Sequence, residues 1–325
     1  MKMSLNLSAR TWVLLGLLAL LAAVPPLAGW LNQPFYLDLL RRVMIFAIAA
    51  ISLNLILGYG GMVSVGHAAY LGIGAYAVGV LSHHGIDNGW LQWALAIGAS
   101  ALVALAIGSV SVRTSGIYFI MITLAFTQML YYLGISIEEY GGDDGMRLTT
   151  RSQFSGLIDL NDANSFYYLV LAILALFLYL THRLVHSRFG MALQATRSNE
   201  ARTRAIGYSP YPYRLAAFTI AGGMCGLAGA LLVNHTAYLT PEFMNWTRSG
   251  ELMFMVILGG IATSAGPLLG AAAFLLLEDV LQGWSVLPKW VTEHWQLYLG
   301  VILVLVVLYA KRGLAGLLPG KEHHD

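Results

Sequence analysis

"LNLILGYGGMVSVGHAAYLGIGAYAVGVL", residues 53–81, is apolar enough to lie in a bilayer, yet it carries glycine at seven of its 29 positions (58, 60, 61, 66, 72, 74 and 79) and one histidine, His67. A glycine in a helix interior costs about 1 kcal/mol relative to alanine, and an ionisable side chain in hydrocarbon costs more. A membrane segment that tolerates both needs close helix packing, a break in the helix, or a polar path beside it. Gly58, Gly60 and Gly61 are expected to end one helix, and Ser64 to cap the next. That leaves amides near 65–67 pointing into the bundle. His67 then either faces a polar path or bonds a neighbouring carbonyl, and Gly66 marks a close approach of backbone to neighbour or solute.

Composition sets this stretch in a polytopic membrane protein. The 325 residues are 58% hydrophobic and 10% charged, with a mean hydropathy of +0.69, against about 45–50% apolar residues in soluble domains. Charge-free runs at 11–33, 43–66, 91–112 and 215–234 each reach the roughly 20 residues that a spanning helix needs. The fold expected is all-α, one transmembrane helix bundle over 1–325 with about ten spans. Apolar runs between turn signals place them near 11–31, 40–58, 62–82, 90–112, 116–135, 165–182, 213–233, 250–265, 266–283 and 292–310. The first reads as a retained helix and not a cleaved signal. The third, eighth and ninth read as broken or re-entrant, because of their glycines and Pro267.

Charge orients the chain. With both termini in the cytoplasm, that side receives Lys2, Arg10, Arg113, Arg183, Arg188, Arg197, Arg202, Arg204, Arg214, Lys311, Arg312 and Lys321. Arg41, Arg42, Arg147, Arg151, Arg248 and Lys289 fall outside with most of the acids. Arg41-Arg42 is the awkward exception. The acidic loop 136–164, with "EEYGGDDG", is then periplasmic, and the basic segment 183–212 is cytoplasmic.

Within "SRFGMALQATRSNEARTRAIGYSPYPYR", residues 187–214, Ser198 or Asn199 is placed to cap a helix beginning near Glu200, and Gly207 to stop it. Such a helix suits docking into a partner's groove. The plainer reading is a basic amphipathic helix resting on anionic membrane lipid. A weaker echo lies elsewhere. "SVGH" (64–67) matches "SAGP" (264–267), and each follows an "ILG" (56–58 and 257–259). Paired interruptions of this kind point to an internal repeat around a transport path. Asn54, Thr123, Thr127 and Gln128 are further polar positions within spans. Thr123 and Thr127 share a helix face and can simply bond back to their own backbone. The amides of Asn54 and Gln128 need partners.

The pattern Asn199-Glu200-Ala201, then five residues, then Gly207 resembles the EAA-type coupling loop of bacterial ABC importer permeases. Three stretches narrow the likeness: "LNLILGYGGMVSVGHAAYLGIGAY" (53–76), "RTSGIYFIMITLAFTQM" (113–129) and "FGMALQATRSNEARTRAIGYSPYPYRLAAFTIAGGMCGLAGAL" (189–231). Together they resemble the branched-chain amino acid ABC transporter permease family, in its LivM-type subunit, over about 40–315. The chain departs from that pattern at "YGGDDGMRL" (140–148) and at Met191, where a second basic residue is common.

The resemblance implies a permease subunit that moves leucine, isoleucine or valine across the bacterial inner membrane. It implies two cytoplasmic ATPase subunits, a sister permease and a periplasmic binding protein as partners. It places Asn54, Ser64, Gly66, His67, Thr123, Thr127 and Gln128 along the substrate path, and Arg197, Asn199, Glu200, Ala201 and Gly207 at the ATPase contact. Urea or another small neutral solute is the alternative cargo, and an ion-coupled secondary transporter is the rival class. Such transporters place Asp, Glu or His mid-membrane, whereas the span centres here hold no Asp or Glu. The chain shows no GxxxxGK[ST] motif, because "GLLPGKE" (316–322) has the wrong spacing. No cofactor, no metal set and no nucleophile beside a base is apparent, no basic block suits nucleic acid, and no enzyme is expected.

Overall fold

The computed structural model describes residues 9–31, 34–154, 156, 159–283, 290, 293–309 and 313–317. Among the described residues, twelve α-helices carry the fold: α1 (Ala9–Leu31), α2 (Pro34–Asn54), α3 (His67–His83), α4 (Gly89–Ser111), α5 (Ile117–Ser136), α6 (Ala163–Val185), α7 (Arg188–Ser198), α8 (Glu200–Ala205), α9 (Pro210–Thr236), α10 (Trp246–Gly259), α11 (Gly266–Gly283) and α12 (Trp295–Tyr309). A π-helical turn, Leu55–Tyr59, extends α2.

Local chemistry sets many of the helix starts. Asn88, Asp162, Ser187 and Asn245 each accept backbone N–H groups at the first turn of α4, α6, α7 and α10, and Pro210 opens α9. These side chains satisfy amides that a helix start leaves orphaned, and proline has no amide to lose there.

Among the described residues, six helices are long and apolar enough to cross a membrane: Pro34–Tyr59, Gly89–Ser111, Ile117–Ser136, Ala163–Val185, Pro210–Thr236 and Gly266–Gly283. Val13–Gly29 and Trp295–Val306 are shorter apolar stretches. The third and eighth expected spans come out short. α3 has 17 residues and begins at His67, five residues later than expected, and α10 has 14. At 1.5 Å per residue these reach about 25 and 21 Å, less than the roughly 30 Å of a hydrocarbon core. The missing length is non-helical chain at 61–66 before α3, and a 3₁₀ turn at Pro241–Met244 before α10.

The core is knitted from small residues where α3 and α4 meet α9. A Cβ at Gly74 would sit 1.9 Å from the Gly226 carbonyl oxygen, and one at Gly229 would sit 1.8 Å from that of Leu71. Glycine is therefore required for these backbones to touch, which answers much of the question posed by 53–81.

The bundle has two dissimilar ends, separated by the 23 residues of α6, about 35 Å. At one end the segment after α5 folds over the helix tips. Its strand β1 (Met146–Arg147) pairs antiparallel with β2 (Tyr238–Leu239), and Ser152 donates its N–H to Asn234 Oδ1 at 2.9 Å. Arg41 and Arg42 also lie here, each balanced. Arg41 is 2.5 Å from Asp38, donates Nε–H to His235 Nδ1 at 2.9 Å, and stands 4.8 Å from the Phe166 ring. Arg42 lies 3.5 Å from Glu278. The other end carries α7, α8 and both breaks in the helical path.

Candidate functional site: two helix breaks beside a pair of short helices

The first break follows Asn54. Within the π turn the Gly60 N–H reaches Leu55 O at 3.2 Å, and the Met62 N–H reaches Ile56 O at 2.9 Å. The chain then runs without helix to Gly66. Ser64 does not cap α3 as expected. Gly66 stands at the cap with no side-chain bond to the helix, and Ser64 Oγ accepts the Gly66 N–H at 3.2 Å. The first helical amide free to look outward, on Ala68, donates to Ser249 Oγ of α10 at 2.9 Å. The bundle itself thus supplies the cap, which no local motif could reveal.

The second break, 260–265, lies against the first. Asn54 joins them: its Nδ2 donates to Thr263 O and its Oδ1 accepts from Ala262 N, both at 3.0 Å. Here Thr263 Oγ1 accepts the Gly266 N–H at 3.1 Å, the counterpart of Ser64 and Gly66. Asn54 is 2% exposed, and its amide is satisfied on both sides.

His67 is fully enclosed. Its Nε2 is 2.7 Å from Ser52 Oγ, its carbonyl oxygen lies 3.6 Å from Cys225 Sγ, and its ring meets Tyr70 edge-on. Ser52 has a single proton, which it gives to Ala49 O at 2.6 Å. His67 Nε2–H is therefore the donor to Ser52, and Nδ1 is left as an acceptor without a partner. Of the two readings open for His67, enclosure by α2, α3 and α9 is the one this structure displays.

Gly66, Thr123 and Thr127 do come together. A Cβ on Gly66 would lie 2.8 Å from Thr123 O and 3.0 Å from Thr127 Oγ1. Both threonine hydroxyls bond back to their own helix, to Ile120 O at 3.0 Å and Thr123 O at 2.9 Å. They present methyl and hydroxyl bulk to Gly66, with their protons already committed. Gln128 is half-buried on the adjoining face of α5.

The remaining candidates lie on α7 and α8. Asn199 caps α8 by accepting the Arg202 N–H at 2.9 Å. Glu200 bonds within the chain, to Arg204 at 2.6 Å and to Arg214 at the start of α9 at 2.9 Å. Gly207 has φ +93° with open space around it, so it serves as a helix stop that other residues enter only with strain. Ala201 is exposed, as are Met191, Ile206 and Tyr208. Arg197 is exposed as a residue, and its guanidinium donates to the Gly58 carbonyl in the π turn. Sequence reading missed Ser52, Ser249, Thr263 and Arg214. Each is an ordinary polar residue whose partner lies far off in the chain.

Among the described residues the arrangement consists of two linked helix interruptions beside a pair of capped helices.

In comparison with known proteins, the family model for the branched-chain amino acid transport system permease component matches residues 35–308. The chain is 28% identical over 300 residues to the high-affinity branched-chain amino acid transport system permease protein LivM of Salmonella typhimurium, covering 85% of this chain and 69% of that protein. It is 27% identical, with the same coverage, to the Escherichia coli protein of that name. It is 29% identical over 297 residues to the autoinducer 2 import system permease protein LsrC of an Enterobacter species, covering 85% of this chain and 80% of that one. No solved structure matches. These relatives are transport permeases and not enzymes, and a family model spanning most of the helices means that the chain belongs to the branched-chain amino acid ABC transporter permease family.

Proposed function

We propose that this chain is one of two transmembrane subunits of an importer that carries branched-chain amino acids across the bacterial inner membrane. It crosses ten times, with both termini and the 183–212 coupling segment in the cytoplasm and 136–164 in the periplasm. Two ATPase subunits dock on α7 and α8, a sister permease packs beside it, and a binding protein delivers solute to the 136–164 face. Gly66, Thr123 and Thr127 line the path where the first break meets α5.

One observation carries the reading. The α7–α8 pair stands at the same end of the bundle as both breaks: Arg197 of α7 donates to Gly58 O at the first break, and Glu200 of α8 pairs with Arg214 of α9. An energy-coupling partner pressing there would act directly on the interrupted helices.

The test is reconstitution. The chain alone in liposomes should hydrolyse no ATP and take up no leucine, and both activities should appear once the ATPases, sister permease and leucine-loaded binding protein are added. Uptake driven by an ion gradient with the chain alone would overturn the proposal. The LsrC relatives, at comparable identity, give a second reading in which the cargo is another small polar solute. In that case the assembled system would be driven by a binding protein loaded with such a solute and not by leucine.

A further inference from the structure

Arg197 stands on the face where a partner would dock, yet its guanidinium donates to the carbonyl of Gly58, inside the π turn of α2. Three features make this contact more than a surface bond. The helical run ends at Tyr59 with Gly60 as its cap, and the chain leaves it without helix, so carbonyls of its last turn lack helical partners and carry the negative end of the dipole, where a cation is favoured. The stem of Arg197 lies on Gly61, whose φ is +67° and whose Cβ, if present, would be 2.8 Å from Arg197 Cγ. A π turn also holds one residue more than the α-helix would, and can lose it by slipping one position, which makes it a natural hinge.

The α7–α8 unit is itself held at both flanks. Gln194 donates to Val185 O of α6 at 3.1 Å, and Glu200 bridges to Arg214 of α9 at 2.9 Å. Arg197 is its tie to α2. One turn earlier, Asn54 clasps the second break, so a pull on the π turn reaches both interruptions.

Resting on the transporter reading above, we propose that Arg197 is the positioning residue through which the α7–α8 face drives the break in α2, by gripping the Gly58 carbonyl. It acts inside the permease and is not an ATPase contact.

Two measurements test this. In the full assembly, Arg197→Ala should keep the ATPases bound on co-purification and hydrolyse ATP within twofold of the unsubstituted complex, while solute moved per ATP falls at least tenfold. An unchanged ratio overturns the proposal, and so does release of the ATPases, which would make Arg197 a docking contact. If the alanine variant does not insert, Arg197→Lys is read in its place. It keeps the stem on Gly61 and one donor, so a fall of about threefold is expected, and an unchanged ratio again overturns the idea. The second measurement needs no partner. In the detergent-solubilised chain, amide hydrogen exchange at 55–62 should speed up at least tenfold in the substituted chain, and unchanged exchange overturns the tie. Faster exchange in a chain that never supports ATP-driven uptake, even unsubstituted, would uphold the tie and sink the transporter reading.

Discussion

The two interruptions share a sequence echo and sit side by side, but they are built to opposite ends. At 260–265 the flanking helices close on each other as a hairpin with almost no room. A Cβ on Gly270 would lie 1.8 Å from Met255 O and 2.7 Å from Gly259 N, and one on Gly259 would lie 1.8 Å from Gly266 O. At 55–66 the helix first loosens into a π turn, then unwinds for six residues, and is held by side chains: Arg197, Asn54 and the Ser64 hydroxyl. Backbone-to-backbone contact is stiff, because neither surface can yield, whereas side-chain ties can be remade. On the function proposed above, the second break would serve as the anchor and the first as the moving part.

Substitutions can break or sharpen that contrast, beginning with the most severe. Gly270→Leu should destroy the hairpin, since nothing at Met255 or Gly259 can retreat. Monodisperse protein after detergent extraction and size-exclusion chromatography should fall at least tenfold. Recovery near the unsubstituted level would show the anchor to be soft.

Gly66→Leu is the matched change at the first break. Its Cβ would lie 2.8 Å from the Thr123 carbonyl oxygen and 3.0 Å from Thr127 Oγ1, a milder approach than the 1.8 Å at Gly270. The variant should insert and assemble, because leucine suits the bilayer, but reconstituted uptake should fall at least tenfold. If both glycine variants fail in the same way, whether by misfolding or by lost uptake, the distinction between anchor and moving part is wrong.

Asn54→Leu tests the clasp between the breaks. It keeps the bulk and removes both bonds to 262–263, leaving one amide and one carbonyl unpaired. Such losses cost about 1–2 kcal/mol, which should lower the thermal midpoint in detergent by a few degrees without preventing insertion. No change in midpoint would mean that the breaks are not linked there.

The smallest effect is expected from Thr123→Val and Thr127→Val. Both hydroxyls already bond to their own helix, and their loss should alter stability by about 0.5 kcal/mol or less and uptake by less than twofold. A fivefold loss of uptake, with assembly intact, would instead place the hydroxyls in contact with solute.

Much of the fold could be read from one dimension, because long charge-free runs have no alternative in lipid to a helix that satisfies its own backbone. The same holds for α8, whose cap at Asn199 and stop at Gly207 depend on residues within one turn. The expected cap at Ser64 is not what forms, and His67 is open between two readings in the sequence. A serine beside a helix start is a cap only if the chain turns toward it, and here Gly66 takes that place while Ser249, 181 residues away, meets the Ala68 amide. Likewise a histidine in an apolar run reads as path or packing with equal ease until Ser52 and Cys225 close around it.

By itself, then, the amino-acid order determined the helical class, the long apolar helices with their glycine-marked interruptions, and the family. All of these follow from local periodicity, composition and short motifs, which are properties of neighbours in the chain. Only the tertiary structure decided that the two breaks touch through Asn54, that Arg197 reaches the Gly58 carbonyl, that Glu200 bonds to Arg214, and that Arg41 and Arg42 are balanced by Asp38, His235 and Glu278. The physical reason is range. Caps and periods act over a few residues, whereas a buried polar group takes whichever partner the packed helices bring within about 3 Å, however far away that partner lies in sequence.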